Sequence, residues 1–191
     1  MLQKRIAPFS PLVIAETLTI LLNDIDPEED TLRLEGREKG ALIFARGEGI
    51  INSPDSIYFT CTSGGLNQKG QIWKFNFSDP KNETIELWYE SSNPSYGRYN
   101  KSFKGDDLNM TDNITLSPWG DLIICEDNSD INRLWGVSKE GQPYIIAENR
   151  YSGSEFAGVC FSPSGETMFV NLQSNGLTFA ITGDWNKLSV L

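Results

Sequence analysis

One pattern constrains this chain more than any other: a layout of inner strand, Ser-Pro turn and second apolar strand occurs three times, with its Ser-Pro pair at Ser53-Pro54, Ser117-Pro118 and Ser162-Pro163. Around the middle copy the sequence reads DNITLSPWGDLIICED, Asp112–Asp127. The other two are RGEGIINSPDSIYFTCT, Arg46–Thr62, and EFAGVCFSPSGETMFVN, Glu155–Asn171. Aligned on their serines, the three need no gap. Ile50, Ile114 and Val159 then share a slot, and so do Cys61, Cys125 and Val170. A unit of this size cannot bury its faces alone and must stack on its siblings, as propellers and related arrays do.

The strand pattern around each copy fits that reading. A short strand is expected at Ala41–Ala45, and the first unit then predicts four more, near Gly49–Asn52 and at Ile57–Thr62, Gln71–Phe77 and Ile85–Glu90. Trp73, Phe75 and Phe77 alternate onto one face, and Ile85, Leu87 and Tyr89 do the same. The second unit predicts Asn113–Leu116, Asp121–Glu126, Arg133–Val137 and Pro143–Glu148. The third predicts Gly158–Phe161, Thr167–Leu172 and Leu177–Thr182 and then stops. The fold class is therefore all-β, a partial β-propeller of about three four-stranded antiparallel blades over residues 24–191. Arg33–Lys39 reads as polar connecting chain, and Ser91–Met110 as a long polar loop of the kind that carries function or mobility. Residues 1–23 are atypical: Lys4 and Arg5 precede an apolar run, Pro11–Leu22, that Glu16 interrupts. That run is too short to span a membrane and has no small-residue cleavage site; Ala15–Leu22 fits a short helix or a strand.

Charge and composition narrow the chemistry. A formal net charge of −10 argues against nucleic acid, whose phosphates demand a basic surface. The chain has no histidine, which removes Ser-His triads, histidine bases and most zinc or copper sites. A metal here has to be held by oxygen or thiolate, a donor set that suits hard cations such as Ca²⁺. The three cysteines show no CxxC spacing, and Cys61 and Cys125 read as small core hydrophobes.

The repeat places Arg46, Glu48, Asp112 and Glu155 at the entry to successive inner strands. If the units are blades, these side chains converge from one end of the axis. Converging carboxylates repel unless a cation neutralises them, and an arginine beside them suits bidentate capture of an anion such as phosphate. The same acids read equally well as turn residues facing water.

Several stretches resemble the PhoX-type alkaline phosphatases: GREKGALIFARGEGI (Gly36–Ile50), IYFTCTSGG (Ile57–Gly65), GQIW (Gly70–Trp73), DNITLSPWGDLIICED, EFAGVCFSPSGETMFVNLQS (Glu155–Ser174) and GLTFAITGDW (Gly176–Trp185). The likeness runs in order from about Asp24 to Trp185. It implies a six-bladed propeller in the full-length family, of which this chain corresponds to the C-terminal half, and a calcium- and iron-containing site that hydrolyses phosphate esters. Carried over by motif, Glu48 of ARGEG becomes a metal ligand and Arg46 the phosphate contact. Glu126 of CED, Glu155 of EFAG and Asp112 become further metal ligands. Family members are periplasmic or exported, and this chain shows no clear export signal. The expected partners are a small phosphate ester, no nucleic acid and no membrane, with self-association or pairing with an N-terminal half. Two other readings stand beside this one: a non-catalytic propeller fragment used for interaction or assembly, and a lactonase-like propeller hydrolase.

Overall fold

The computed structural model describes residues 28–29, 31–91 and 108–188. The expectations for residues 1–23 and for most of the Ser91–Met110 loop fall outside them. Among the described residues eleven strands form three antiparallel sheets in chain order. Sheet 1 comprises β1 (Gly47–Asn52), β2 (Ser56–Cys61), β3 (Gln71–Asn76) and β4 (Thr84–Glu90). Sheet 2 comprises β5 (Thr111–Leu116), β6 (Leu122–Glu126), β7 (Arg133–Val137) and β8 (Pro143–Glu148). Sheet 3 has three strands among the described residues, β9 (Phe156–Phe161), β10 (Thr167–Leu172) and β11 (Leu177–Thr182). Each sheet is a simple meander, and the first strands of neighbouring sheets pack together, β1 on β5 and β5 on β9.

Two segments differ from the sequence reading. Residues Leu32–Glu38 form a helix, α1, stabilised by a Lys39–Glu35 ion pair of 2.7 Å across its last turn. Ala41–Ala45 is not a strand, because among the described residues no neighbouring strand offers it a ladder. Its Phe44 instead plugs the outer face of sheet 1, edge-on to Phe59 at 4.9 Å and to Trp73 at 5.3 Å.

Alternation on the strands sends one apolar set to each side. Leu122, Ile124, Trp135 and Val137 of sheet 2 meet Ile72, Trp88 and Tyr89 of sheet 1. Ile123, Cys125 and Leu134 turn the other way, onto Phe156, Val159, Met168 and Val170 of sheet 3. Sheet 2 is thus covered on both faces, and every residue of β6 and β7 is buried. Trp119 adds a stacked contact with Trp185 at 5.8 Å and an edge contact with Phe161 at 5.7 Å, tying the turn of sheet 2 to sheet 3. Gly49 lets β1 approach β5: a Cβ there would lie 2.6 Å from the Asp112 carbonyl and 2.8 Å from the Ile114 nitrogen.

The gapless repeat alignment holds on the inner strands and fails beyond the turn. The Ser53 N–H closes on the Ser56 carbonyl, that of Ser117 on Asp121, and that of Ser162 on Thr167, so the turn lengthens by one residue per unit. The ladders move with it: Gly47 pairs with Cys61, Thr111 with Glu126 and Phe156 with Leu172. Cys61, Cys125 and Val170 therefore do not share a slot. Cys61 corresponds to Glu126 and Leu172, while Val170 corresponds to Phe59 and Ile124. The conclusion that Cys61 and Cys125 are core residues survives, since both are 0% exposed.

Candidate metal centre

The inner strands of the three sheets begin at one rim, and the way they begin is repeated. Arg46 and Met110 occupy the same slot and both take left-handed backbone, with φ of 51° and 48°. Bulky residues adopt that region at a cost of order 1–3 kcal/mol, and such positions cluster at functional sites. Their carbonyls accept the N–H of Thr62 and of Asp127, as the Glu155 carbonyl accepts that of Gln173. Just inside the rim the ladder of each sheet is irregular, between Gly47 and Ile50, between Thr111 and Ile114, and between Phe169 and Asn171. Glu48 and Asp112 sit within the first two of these bulges, which re-aim side chains at sheet rims.

Three carboxylates meet there. One oxygen each of Asp112, Asp127 and Glu155 lies within 4.8 Å of the others, a spacing that a single cation spans. Two come from sheet 2, from the start of β5 and the residue after β6; the third comes from the residue before β9. Arg46 closes the cluster from sheet 1, its Nη2 donating to Asp127 Oδ2 at 3.1 Å and to Glu48 Oε1 at 3.4 Å. The guanidinium stays half exposed, so it can also turn a face to an incoming anion.

The electrostatics are those of a site short of positive charge. Burial, then the charges of Glu48 and Asp127, push Asp112 up to about 6, with Arg46 pulling the other way. Burial, then the charge and hydrogen bond of Asp127, push Glu155 up to about 7. A bound divalent cation would reverse both shifts. All donors are oxygens, which suits a hard cation, and the described residues bring no thiol into the cluster. Cys61 and Cys125 are buried, and desolvation raises them to about 11 and about 12.

Of the residues singled out in the sequence, the structure brings Asp112, Glu155, Arg46 and Glu48 to this rim. Glu126 lies beside it but faces inward, 0% exposed, in the slot that Cys61 and Leu172 fill in the other sheets. Its Oε1 accepts the N–H of Asn109 at 3.3 Å and its Oε2 that of Arg133 at 3.2 Å. Burial dominates these bonds and pushes Glu126 up to about 7. Asp127, the last residue of the middle repeat stretch and not among the site residues expected from the sequence, is the third member of the cluster. The one-residue lengthening of the Ser117 turn accounts for the exchange, since it rotates Glu126 into the core and leaves Asp127 on the rim.

A family model described as alkaline phosphatase PhoX matches residues 19–176 of the chain. A search of curated proteins finds no match. The PhoX match takes in the whole rim, from Arg46 through Asp112 and Asp127 to Glu155. The match covers most of the chain, and the chain belongs to the PhoX alkaline phosphatase family.

Proposed function

We propose that the chain is a metal-dependent phosphoric ester hydrolase of the PhoX type, its three sheets acting as blades of a β-propeller and its rim as the reaction site. The observation that carries this reading is the meeting of Asp112, Asp127 and Glu155 within 4.8 Å, beside a half-exposed Arg46. These three carboxylates would hold Ca²⁺, with iron as a second candidate, and Glu48 would complete the shell from sheet 1. The cation would supply charge neutralisation and Lewis-acid polarisation of the phosphoryl oxygen.

The chain's own residues do the rest. Arg46 offers planar N–H donors to two equatorial phosphoryl oxygens, and Asp127 and Glu48 hold its guanidinium in place. Glu126 acts from behind: by holding the N–H groups of Asn109 and Arg133 it fixes the chain on either side of Asp127. The test is hydrolysis of a panel of phosphate esters and lactones by the purified chain, with calcium, iron or a chelator. The reading expects turnover of phosphate esters only, lost with chelator and in Arg46→Ala. Lactone turnover, or ester turnover that survives both treatments, would overturn it.

A second reading, an assembly module, is favoured by sheet 3. Its last strand β11 is uncharged, and Phe169, Leu177 and Phe179 are 37–40% exposed around it. Exposed apolar edges of this kind invite pairing with another chain. Light scattering with and without chelator separates the two readings, since assembly through β11 needs no metal.

A further inference from the structure

We infer that a second ligand site, for a small organic anion with a flat apolar body, lies between sheets 1 and 2 at the rim opposite the acidic cluster. A cleft of about 450 Å³ opens there, between the turns at Ser53-Pro54 and Gly120. This is the size of a small-molecule site, and one strand length, about 20 Å, separates it from Asp112. The inference stands independently of the phosphatase reading.

The walls divide by chemistry. The inner wall is apolar: Tyr58 and Trp88 of sheet 1 face Leu122 and Val137 of sheet 2. The two aromatic rings meet edge-on at 5.5 Å; Trp88 is buried behind, so the half-buried Tyr58 ring is the aromatic face that the cleft can offer a planar group. The mouth is cationic. Lys74 holds its Nζ 5.6 Å from the centre of the Tyr58 ring. Lys139 lies across Gly120, where a Cβ would come within 2.6 Å of its Cε and 2.9 Å of its Nζ. That glycine is at φ 95°, so the turn both needs a glycine and, having one, leaves a channel for the lysine.

Among the described residues neither ammonium forms an ion pair within 4.0 Å. Among the described residues Asp55 is the one carboxylate lining the cleft; it accepts from Ser53 Oγ at 3.1 Å and Ser56 Oγ at 3.0 Å, and the charge of Lys74 helps to hold it ionised. Two lysines against one aspartate leave the cleft net positive on a chain whose formal charge is −10. A positive mouth over an aromatic floor selects against neutral aromatics and against small inorganic ions, and for molecules that carry both features.

Titration calorimetry with benzoate tests this, with acetate and benzyl alcohol as half-ligand controls. Saturable one-to-one benzoate binding below about 10 mM is expected, at least about tenfold weaker in Lys74→Met/Lys139→Met. Glu155→Gln should leave it unchanged. Thermal melts check that the double variant folds, and Lys139→Met alone serves if it does not. Absence of saturation, equal affinity for acetate or benzyl alcohol, binding unaltered by the lysine variants, or loss in Glu155→Gln would each overturn the inference.

Discussion

Asp112→Asn should stabilise the metal-free protein at alkaline pH and destabilise the calcium-loaded one. In the fold, burial and the neighbouring acids hold the Asp112 carboxyl at about 6 against an ordinary 3.8. A folded pKa raised above the unfolded one means that the fold binds a proton the unfolded chain has lost. Well below pH 3.8 both states are protonated and the carboxyl costs nothing. As pH rises from 4 through 6 the metal-free fold loses stability, and above 6 the loss is complete. The full shift corresponds to a ceiling of ~3 kcal/mol at 1.36 kcal/mol per pH unit. Solvent at the mouth of the cluster screens much of that, leaving about 1 kcal/mol.

Removing the charge should therefore raise the melting temperature by about 2–4 °C at pH 8 in chelator and leave it unchanged at pH 4. With excess calcium at pH 8 the order should invert, because the parent gains the binding free energy and the variant loses a ligand. The assay is a set of thermal melts from pH 4 to 8, with chelator and with calcium. A pH-independent difference, or equal stabilisation of both proteins by calcium, would refute the reasoning.

Three other outcomes follow from the same structure. Arg46→Lys should weaken inhibition by inorganic phosphate and lower phosphatase turnover by about 10²-fold or more, because a point charge replaces a planar fork; steady-state kinetics would show it. Gly49→Ala should cost about 1–3 kcal/mol of folding stability, since its Cβ meets the β5 backbone at 2.6 Å and only a shift of sheet 1 relieves the clash; denaturant unfolding measures this. A thiol reagent should label Cys160 quickly and Cys61 and Cys125 only on unfolding, as the first is exposed and the others are buried.

Much of this architecture was legible in the sequence because short runs of strand-forming residues are bounded by turn residues, whether they alternate, as β3 does, or stay apolar throughout, as β6 does. β3, β7, β8, β10 and β11 begin where the pattern places them, and all but β3 end there too. The α1 segment was not legible, since LRLEGRE carries no apolar stripe and has a glycine, Gly36, in its interior. Ala41–Phe44 carries strand-forming residues, but a strand needs a partner, and that information is not local. The site was legible in part for a related reason. The inner strands start in register, so Arg46, Glu48, Asp112 and Glu155 could be placed together from the Ser-Pro repeat alone. The far strands do not, because three turns of different length follow the same two residues. That slip exchanges Glu126 for Asp127, and only the ladder pairing Thr111 with Glu126 reveals it.

The central claim is that Asp112, Asp127 and Glu155 form a cation site. Elemental analysis of the monodisperse chain after incubation with Ca²⁺ and gel filtration tests it most directly, compared with Asp127→Asn. The account predicts stoichiometric calcium in the parent and its loss in the variant, while Glu126→Gln retains it. No calcium in the parent, or calcium that persists in Asp127→Asn, would contradict it.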